Sequence, residues 1–558
     1  MNDKIVKKPS PRLIDYVVFV GKRHPSRHGQ PVSQPELLRV YPPQNHDDFA
    51  LPSDVIFFCQ PEGCYNTSST SFCFTFMLTD KESNTARFGV CLNFLRPIGR
   101  RKSNYIAEVT RGCHHLDRPE RPYTHTLTSI CLVSRYQFCK KFQRCLQFLY
   151  TLIQKQTVWS VLTGAIESAE IPAVRKSVEE IDTWILRLLS IPAPVFGRTA
   201  IHVSYYPPDL AKPIIFALPD KHRFSLVDYP LHLPLSLLGI EKFIKVFFSL
   251  LLEQKIVLES SHHERLTTCV MSFTALCYPL QYLFTVIPLL PSSLKGAEQL
   301  LQAPSPYIIG IPRNFRDSRP SLQLPKDVLL VDLDTQEALA GLRGLRDETS
   351  GVGVSRKDKI TSKSHSLNLE LNSPDFLFPD LDEDSLNVAI RVAMVRFFKS
   401  PYLLGGFTDH TRTVRLYPRP VVAFQYERFM KSRPDPAPFT IVLARTQAVE
   451  YFAEWSLMPD NLVYQKIGDD VFRPSEIGDK DQWFSDDLMI VPFQLWTERF
   501  DRGLLRPVVE LLSSTPHQGC WSASKQLKVN DSSSATTFSA SVSCEIGISS
   551  DSETPTGY

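Results

Sequence analysis

The chain has 558 residues, of which 43% are hydrophobic and 22% charged, and its formal charge is +3. This length excludes a single hydrophobic core, because one core rarely serves more than about 250–300 residues, and it predicts two to four domains. The small net charge excludes a dedicated nucleic-acid binder, which normally carries a strongly basic surface, so we expect no nucleic-acid partner.

Cysteine usage and hydropathy predict a soluble protein of a reducing compartment. None of the 12 cysteines forms a C-x-x-C pair, and several lie in apolar runs, where free thiols behave as small hydrophobes. The residues after Met1 include no apolar signal stretch, and charges or prolines interrupt the most apolar windows, 243–252 and 269–290. We therefore expect a cytoplasmic location.

Residues 12–155 predict a strand-rich α/β unit, because runs of β-branched and aromatic residues are separated by turn sequences. The predicted strands are 13–20, 55–59, 72–78, 88–94 and 126–133. After them, Phe138, Phe142, Leu146 and Leu149 recur at spacings of three and four, which predicts an amphipathic helix.

A basic segment of 30 residues, 96–125, separates the last two of these strands and holds seven Arg or Lys against three acids. We interpret it as an exposed loop that attracts anionic membrane or acidic partner surfaces, since clustered basic residues bind such surfaces. The candidate contact residues are Arg96, Arg100, Arg101, Lys102 and Arg111.

Residues 156–199 predict a helical connector, and 200–334 predict a second α/β unit. Short apolar strands alternate there with helical stretches, which is the pattern of a mostly parallel sheet with helices on its faces. The stretch 240–252 is so apolar that we expect a helix buried on most of its faces.

The rest of the chain divides by composition. Residues 335–382 have little periodic apolar content and predict a flexible linker, whereas helical periodicity over 383–500 predicts a third, all-helical unit. The Ser-rich residues 515–558 predict a disordered tail.

The sequence lacks the motifs of covalent, metal or hydride chemistry. It has no G-x-x-x-x-G-K-[ST] phosphate loop, no H-E-x-x-H and no G-x-S-x-G. Cys113, His114 and His115 are adjacent, not spaced as zinc ligands are, so we interpret them as loop residues. We therefore expect no enzymatic chemistry, no cofactor and no metal, and we favour an interaction or exchange protein.

Six motifs follow one another through the second α/β unit: FALPD at 216–220, VDYPL at 227–231, LEQKIVL at 252–258, IPLLP at 287–291, PSPYIIGIP at 304–312 and VDLD at 331–334. In this order they resemble the central lobe of the DENN domain. PRLIDY at 11–16, FFCQPEG at 57–63, RVAMVRFF at 391–398, LYPRPVVAF at 416–424 and ARTQAVEYF at 444–452 resemble the MAP-kinase-activating death-domain branch of that family. The resemblance covers roughly residues 10–490.

This resemblance implies an α/β fold of three parts: a longin-like N-terminal lobe, a parallel α/β central lobe and a helical segment. It implies a guanine-nucleotide exchange factor that binds GDP-bound or nucleotide-free Rab GTPases of the secretory-vesicle branch, in vesicle trafficking and exocytosis. Such a regulator needs no covalent chemistry, and it acts peripherally on vesicle or plasma membranes.

Family members are longer and end in a death-domain-like region that contacts a receptor, whereas this chain ends in the Ser-rich tail. We therefore expect a short form or a fragment, without support for receptor contact. The alternative function is a non-catalytic scaffold or Rab effector linked to death-receptor and MAP-kinase signalling.

The resemblance places the Rab between the two α/β lobes, and the ligands of α/β sheets bind at strand ends and turns. The resulting nine interface candidates are Asp228, Tyr229, Glu253, Lys255, Pro306, Tyr307, Gly310, Asp332 and Asp334. For each of these residues, the alternative to Rab contact is a structural role in a turn, in a helix cap or in the core. Glu253 and Lys255 lie at a helix-to-strand corner, and we expect them mainly to anchor it.

Overall fold

The computed structural model describes residues 12–22, 34–63, 71–79, 86–97, 125–154, 172–205, 212–320, 322–335, 338–339, 382–415, 417, 421–433, 436–456 and 462–496. Within these ranges, no helix is at once long enough and apolar enough to cross a membrane.

An antiparallel sheet forms the N-terminal part of the chain. Its strands are β1 (Tyr16–Gly21), β2 (Glu36–Tyr41), β3 (Phe72–Thr79), β4 (Ala86–Pro97) and β5 (His125–Ser134). They lie in the order β2-β1-β5-β4-β3, and every neighbouring pair is antiparallel. The prediction that strands dominate this part of the chain is confirmed.

Helices cover both faces of this sheet. They are α1 (Val55–Cys59), α2 (Cys139–Gln154) and α3 (Pro172–Leu189). The carbonyl oxygen at the end of α1 accepts a hydrogen bond from Asn93 Nδ2 at 3.0 Å, whereas the Tyr150 ring of α2 packs 4.6 Å from the Phe94 ring. Because successive side chains of a strand point to opposite faces, α1 and α2 lie on opposite sides of β4.

The prediction of a strand at 55–59 is wrong, since these residues form α1. A short apolar run does not distinguish a strand from a buried helical turn, and only Val55 and Cys59, four residues apart, are fully buried. Pro52 and Asp54, which precede the run, are residues typical of a helix start. The fifth strand of the sheet is β2, which the sequence analysis missed.

A parallel sheet forms the central part. The strands here are β6 (Thr199–Ser204), β7 (Ile214–Ala217), β8 (Lys255–Ser260), β9 (Thr285–Ile287), β10 (Tyr307–Pro312), β11 (Val328–Asp332) and β12 (Ala338–Leu339). The helices are α4 (Leu233–Leu251), α5 (His263–Leu276), α6 (Ala297–Leu301) and α7 (Asn314–Asp317). The sheet order is β12-β11-β8-β10-β9, parallel except for β12, and this confirms the predicted parallel arrangement.

Helix α4 is less buried than its composition predicts. Gly239 interrupts it with a φ of 73°, and just beyond this break Ile240 and Ile244 are 55% and 40% exposed. These two residues lie one helical turn apart on the same face. The prediction that the helix is buried on most faces is therefore wrong for this turn, because a run of apolar residues does not reveal which of its faces has a partner.

The third part mixes helices with strands. Its helices are α8 (Glu383–Lys399), α9 (Tyr426–Lys431), α10 (Pro438–Leu443), α11 (Gln447–Trp455), α12 (Leu462–Gly468) and α13 (Pro474–Ile477), with short 3₁₀ turns at Phe407–His410, Asp481–Trp483 and Ser485–Asp487. Strands β13 (Thr411–Arg415) and β14 (Val421–Phe424) form a hairpin, and β15 (Met489–Gln494) pairs in parallel with β6.

The prediction of an all-helical unit over 383–500 is therefore wrong. Strand β15 completes a three-stranded sheet of order β15-β6-β7, whose other strands come from residues nearly 300 positions earlier. The run Met489–Gln494 is apolar and β-branched, as strands are, but its partner is remote in sequence, so no local pattern places it beside β6. The amides of Met489 and Leu495 bond towards β6, so Pro492, which has no N–H, lies at an outward-facing position where none is needed.

Several predicted segments lie outside the described residues. These are the basic loop beyond Pro97 and before His125, most of the linker 335–382, residues 156–171 of the connector and the tail 515–558. Within the predicted linker, Ala338–Leu339 forms β12 and pairs with β11.

Residues 224–231, which we call the junction segment, connect β7 to α4 and join all three parts. Their backbone groups find partners far away in sequence. Asn387 of α8 accepts a hydrogen bond from the Leu231 amide at 2.9 Å and donates to the Tyr229 carbonyl at 3.0 Å. A buried backbone group without a partner costs as much free energy as a lost hydrogen bond. Helix α8 therefore supplies the hydrogen-bond partners that these two backbone groups of the central part need.

A buried ion pair completes this arrangement. Arg391 Nη2 lies 2.6 Å from Asp479 Oδ1, and the two side chains are 3% and 0% exposed. Arg391 also donates to the Ser225 carbonyl at 2.9 Å, and Asp479 accepts the Val227 amide at 2.7 Å. Both charges are thus neutralised and hydrogen-bonded, which is the condition under which a buried pair is tolerated.

Removing one partner of this pair leaves an uncompensated buried charge. We expect Asp479→Ala to lower the free energy of unfolding by about 3–5 kcal/mol, because Arg391 and the Val227 amide then lose their partner. Urea denaturation measures the change. The control is Asp486→Ala at an exposed position, for which we expect a change within about 0.5 kcal/mol. Equal effects of the two substitutions would contradict this account of the junction.

Candidate functional site

Five of the nine interface candidates are buried and occupied by internal contacts. Tyr307 is 1% exposed, and its hydroxyl donates to the Leu301 carbonyl at 2.7 Å. At Gly310 of β10, a Cβ would lie 2.3 Å from the Pro288 carbonyl oxygen. Both residues serve packing in the core of the central part, so neither offers a surface to a partner.

Asp228 and Tyr229 belong to the junction segment, and each is 6% exposed. Asp228 accepts the Lys140 amide in the first turn of α2 at 2.8 Å and lies 3.3 Å from Lys480 Nζ. Burial alone would lower the pKa of Lys480, but Asp228 and the neighbouring acids raise it above its ordinary value. Asp228 therefore links the N-terminal, central and C-terminal parts and holds them in position relative to one another.

Glu253 and Lys255 flank the corner between α4 and β8. Glu253 has a left-handed φ of 58°, and its Oε1 accepts the Ala448 amide at 3.1 Å, in the first turn of α11. Burial raises the pKa of this carboxyl, although the amides of Ala448 and Gln447 oppose the shift. Lys255 pairs with the exposed Asp327 at 2.8 Å. The geometry agrees with the anchoring role expected from the sequence.

Asp332 and Asp334 lie together at the carboxyl edge of the parallel sheet. Asp332 ends β11 and accepts the Asp334 amide at 2.8 Å, whereas Asp334 accepts the Ser261 amide at 2.7 Å. Burial alone would raise the pKa of each carboxyl, but these backbone hydrogen bonds hold both below their ordinary values. Pro306 is half-buried and precedes β10 at the opposite end of that strand.

The sequence analysis missed three charged residues at the same edge. Arg313 follows β10 and contacts Asp332, and Arg316 Nη1 lies 2.9 Å from Glu259 Oε2 of β8. The arginine side chains are 41% and 42% exposed, whereas the Glu259 and Asp332 side chains are 6% and 7% exposed. We call Glu259, Arg313, Arg316, Asp332 and Asp334 the edge cluster. Charged residues directly after predicted parallel strands were the available signal.

The edge cluster presents two guanidinium groups held by buried carboxylates. This arrangement fixes the orientation of the arginines, and their exposed nitrogens remain available to acidic groups of a partner. Asp334 Oδ1 also accepts a hydrogen bond from the Ser260 hydroxyl at 2.8 Å. The exposed Ile240 and Ile244 of α4 form a second surface feature of the central part. No local pattern marks these isoleucines as exposed, because their apolar run resembles that of a core helix.

Three thiols form the one group of potential metal ligands found within the described residues. The sulfur atoms of Cys59, Cys91 and Cys131 lie within 4.8 Å of one another, and all three residues are buried. Cys91 and Cys131 are direct partners across β4 and β5. Burial raises the pKa of these two thiols, which favours the protonated form. A structural zinc site takes four ligands, and here three are present.

Of the five basic candidates of the predicted loop, one lies within the described residues. Arg96 lies in β4, where its backbone pairs with Thr126. Arg100, Arg101, Lys102 and Arg111 lie outside the described residues.

Family comparisons agree with this architecture. Residues 35–94 match the uDENN domain, and residues 125–336 match the DENN (AEX-3) domain. The two matches cover the antiparallel sheet from β2 onwards and the whole parallel sheet up to β11. The chain contains a uDENN and a DENN domain.

The chain is similar to three curated proteins that share one name. It is similar to the MAP kinase-activating death domain proteins of Caenorhabditis elegans (41% identical over 538 residues), Mus musculus (38% over 597) and Drosophila melanogaster (32% over 730). These alignments include 89%, 88% and 92% of this chain but 38%, 38% and 35% of the relatives. The chain therefore spans little more than a third of their length. The resemblance indicated by the sequence motifs is confirmed.

The contact between Glu253 and α11 gives a test of anchoring. We expect Glu253→Ala to lower the free energy of unfolding by about 0.5–2 kcal/mol, because the Ala448 amide loses its cap. Glu253→Gln keeps an acceptor oxygen, so its loss should be smaller. Thermal and urea denaturation of both variants measure the difference. Equal stability of Glu253→Ala and the unsubstituted chain would show that this contact does not hold the corner.

Proposed function

We propose that this chain is a guanine-nucleotide exchange factor that promotes GDP release from a Rab GTPase of the secretory-vesicle branch. The observation that carries the proposal is the pair of uDENN and DENN matches on two α/β lobes joined at the junction segment. We also propose that the N-terminal lobe is longin-like and that the chain acts in vesicle trafficking and exocytosis. The Rab is bound in its GDP-loaded or nucleotide-free form.

Exchange requires binding energy and no covalent chemistry. A factor that binds the empty GTPase more tightly than the loaded one weakens nucleotide binding by the same factor, because coupling between two ligands is reciprocal. Such preferential binding needs a contact surface of at least about 1,000 Å² that is already ordered before the GTPase binds.

Contacts between the two lobes support such a surface. The Ser292 amide bonds to the Pro61 carbonyl at 2.8 Å, and His263 of α5 packs against Phe72 and Phe74 of β3, with ring centroids 5.9 and 5.5 Å apart. Together with the junction segment, these contacts hold the lobes at two separate places. Little conformational entropy is then lost when a partner spans both.

Exposed groups of the central part are better contact candidates than the buried residues expected from the sequence. We propose that Ile240 and Ile244 supply an apolar anchor and that Arg313 and Arg316 pair with acidic groups of the GTPase. Isolated exposed apolar residues are common, but two on one helical turn beside charged groups are typical of an interaction surface. Glu241 and Lys245, which pair at 2.8 Å, flank the isoleucines.

Release of a fluorescent GDP analogue from a panel of purified Rab proteins tests the activity. We expect acceleration for at least one Rab, and we expect Ile240→Asp with Ile244→Asp to reduce it at least tenfold, because a buried hot-spot side chain contributes about 2 kcal/mol or more. The melting temperature should stay within a few degrees, since both positions are exposed. Leu186→Asp, at a 52% exposed position of α3, is the control and should exchange normally.

The same assay separates the proposal from a non-catalytic scaffold or effector. An effector prefers GTP-loaded Rab and leaves GDP release unchanged. Unchanged release across the whole panel, with tight binding of the GTP form, would replace exchange with the effector function. Full activity of the double Asp variant would move the contact surface away from α4.

We further propose that the basic segment gives peripheral attachment to vesicle or plasma membranes. Its seven Arg or Lys and three acids leave a charge of +4, and each basic residue near an anionic surface contributes about 1 kcal/mol. We expect substitution of Arg100, Arg101, Lys102 and Arg111 by Gln to weaken sedimentation with phosphatidylserine vesicles, most strongly at low salt. Exchange on Rab in solution should be unaffected. Equal sedimentation of both forms would exclude the attachment.

A further inference from the structure

A cavity of about 300 Å³ opens where the junction segment, the end of α5 and helices α8 and α11 meet. Five aromatic residues line it, and we call it the aromatic cavity: Phe224, Tyr278, Tyr282, Tyr451 and Trp455. Its volume is at the lower end of the range for small-molecule sites, about 300–1,000 Å³. None of the nine interface candidates and no member of the edge cluster lines it, so it is separate from the surface proposed for the Rab.

The walls of the aromatic cavity are held by ring contacts. Tyr278 meets Phe224 edge-to-face with ring centroids 5.5 Å apart, and it meets Trp455 in the same way at 5.8 Å. Tyr451 and Trp455 lie one turn apart on α11, so both rings project from one face of the helix, and Tyr451 is 38% exposed. A flat ligand therefore meets pre-formed aromatic surfaces and loses little binding energy to ordering them.

Charge in the cavity wall is already neutralised. Arg391 is the one charged side chain among the described lining residues, and its guanidinium lies 4.4 Å from the Phe224 ring centroid. Its counter-ion is Asp479 at 2.6 Å. Because a cation covers one ring face and no unpaired carboxylate lines the described walls, the cavity suits an uncharged ligand rather than a cation or an anion.

Two wall tyrosines carry hydroxyl groups that lack a partner. Tyr278 and Tyr282 Oη are buried, and no described group forms a hydrogen bond with either. Burial raises the pKa of both, so both remain protonated donors at neutral pH. By contrast, the Thr274 hydroxyl in the same wall donates to the Met271 carbonyl at 2.8 Å. Buried donors without a partner are unfavourable, and an acceptor atom of a ligand relieves this.

We propose that the aromatic cavity binds a neutral, flat heteroaromatic molecule of about the size of two fused rings. The rings of Trp455 and Tyr451 stack on the ligand, and its acceptor atom takes the hydrogen bond of Tyr278 or Tyr282. Because the walls come from the central and C-terminal parts, such a ligand also bridges these parts and stabilises the folded chain by mass action.

Three probes built on the same two fused six-membered rings separate the elements of this proposal. Quinoline is neutral with one acceptor nitrogen, naphthalene is neutral without an acceptor, and N-methylquinolinium is a cation. Each is titrated against the full chain by saturation-transfer NMR. We expect saturable binding of quinoline, about three- to tenfold weaker binding of naphthalene, since one hydrogen bond contributes a factor of this order, and much weaker binding of N-methylquinolinium.

Substitutions then locate the site. We expect the double variant Tyr278→Phe with Tyr282→Phe to reduce quinoline affinity to the level of naphthalene without lowering the melting temperature, because no internal hydrogen bond is lost. Ala275→Phe fills the cavity and should weaken both neutral probes at least tenfold. Tyr451→Ala, at a partly exposed position, repeats this test if the filled variant does not fold. Tyr402→Phe, at an 83% exposed position, is the control and should bind normally.

Each contrary result overturns a stated element. Absence of saturable binding by both neutral probes, or binding that neither Ala275→Phe nor Tyr451→Ala changes, overturns the site. Unchanged quinoline preference in the double Phe variant overturns the role of the hydroxyl groups. N-methylquinolinium affinity equal to that of quinoline overturns the assignment of a neutral ligand. These readouts do not involve a Rab, so they stand or fall independently of the exchange function.

Discussion

One carboxylate, Asp479, binds the Arg391 guanidinium with one oxygen and the Val227 amide with the other, and all three groups are buried. The cost of removing such charges from water is offset only while every partner stays in place. Arg391 in turn holds the Ser225 carbonyl, so the junction segment, α8 and the loop after α13 depend on one another. Through Asp228 and the Lys140 amide the same segment fixes the start of α2, so the N-terminal part joins this network.

This interdependence explains why several residues that the sequence suggested as interface candidates have structural roles. Asp228 and Tyr229 supply the contacts that join the parts, and Gly310 leaves room for the Pro288 carbonyl. The contact groups that we propose for a partner are the exposed isoleucines of α4 and the two arginines of the edge cluster, which also neutralise the buried carboxylates of Glu259 and Asp332. In the proposed function, a surface carried by interlocked parts selects one conformation of the GTPase, because binding energy is not consumed in ordering the surface.

The aromatic cavity depends on the same network. Phe224 belongs to the junction segment, Arg391 covers its ring, and α11, which carries Tyr451 and Trp455, is capped by Glu253. The corner between α4 and β8 thus positions one wall of the cavity from the other side. A ligand that stabilises this region would act on the contacts that hold the central and C-terminal parts together, without touching the edge cluster or Ile240 and Ile244.

By itself the sequence determined the features that local periodicity and motif order encode. Four of the N-terminal strands, the parallel central sheet and the DENN resemblance follow from apolar runs and from motifs such as PSPYIIGIP. Only the tertiary structure decided which apolar runs have partners. The residues of α1 resemble a strand, Ile240 resembles core, and the apolar run of β15 does not reveal that its partner is β6. Burial and strand pairing between residues remote in sequence are properties of the folded chain, and no local pattern contains them.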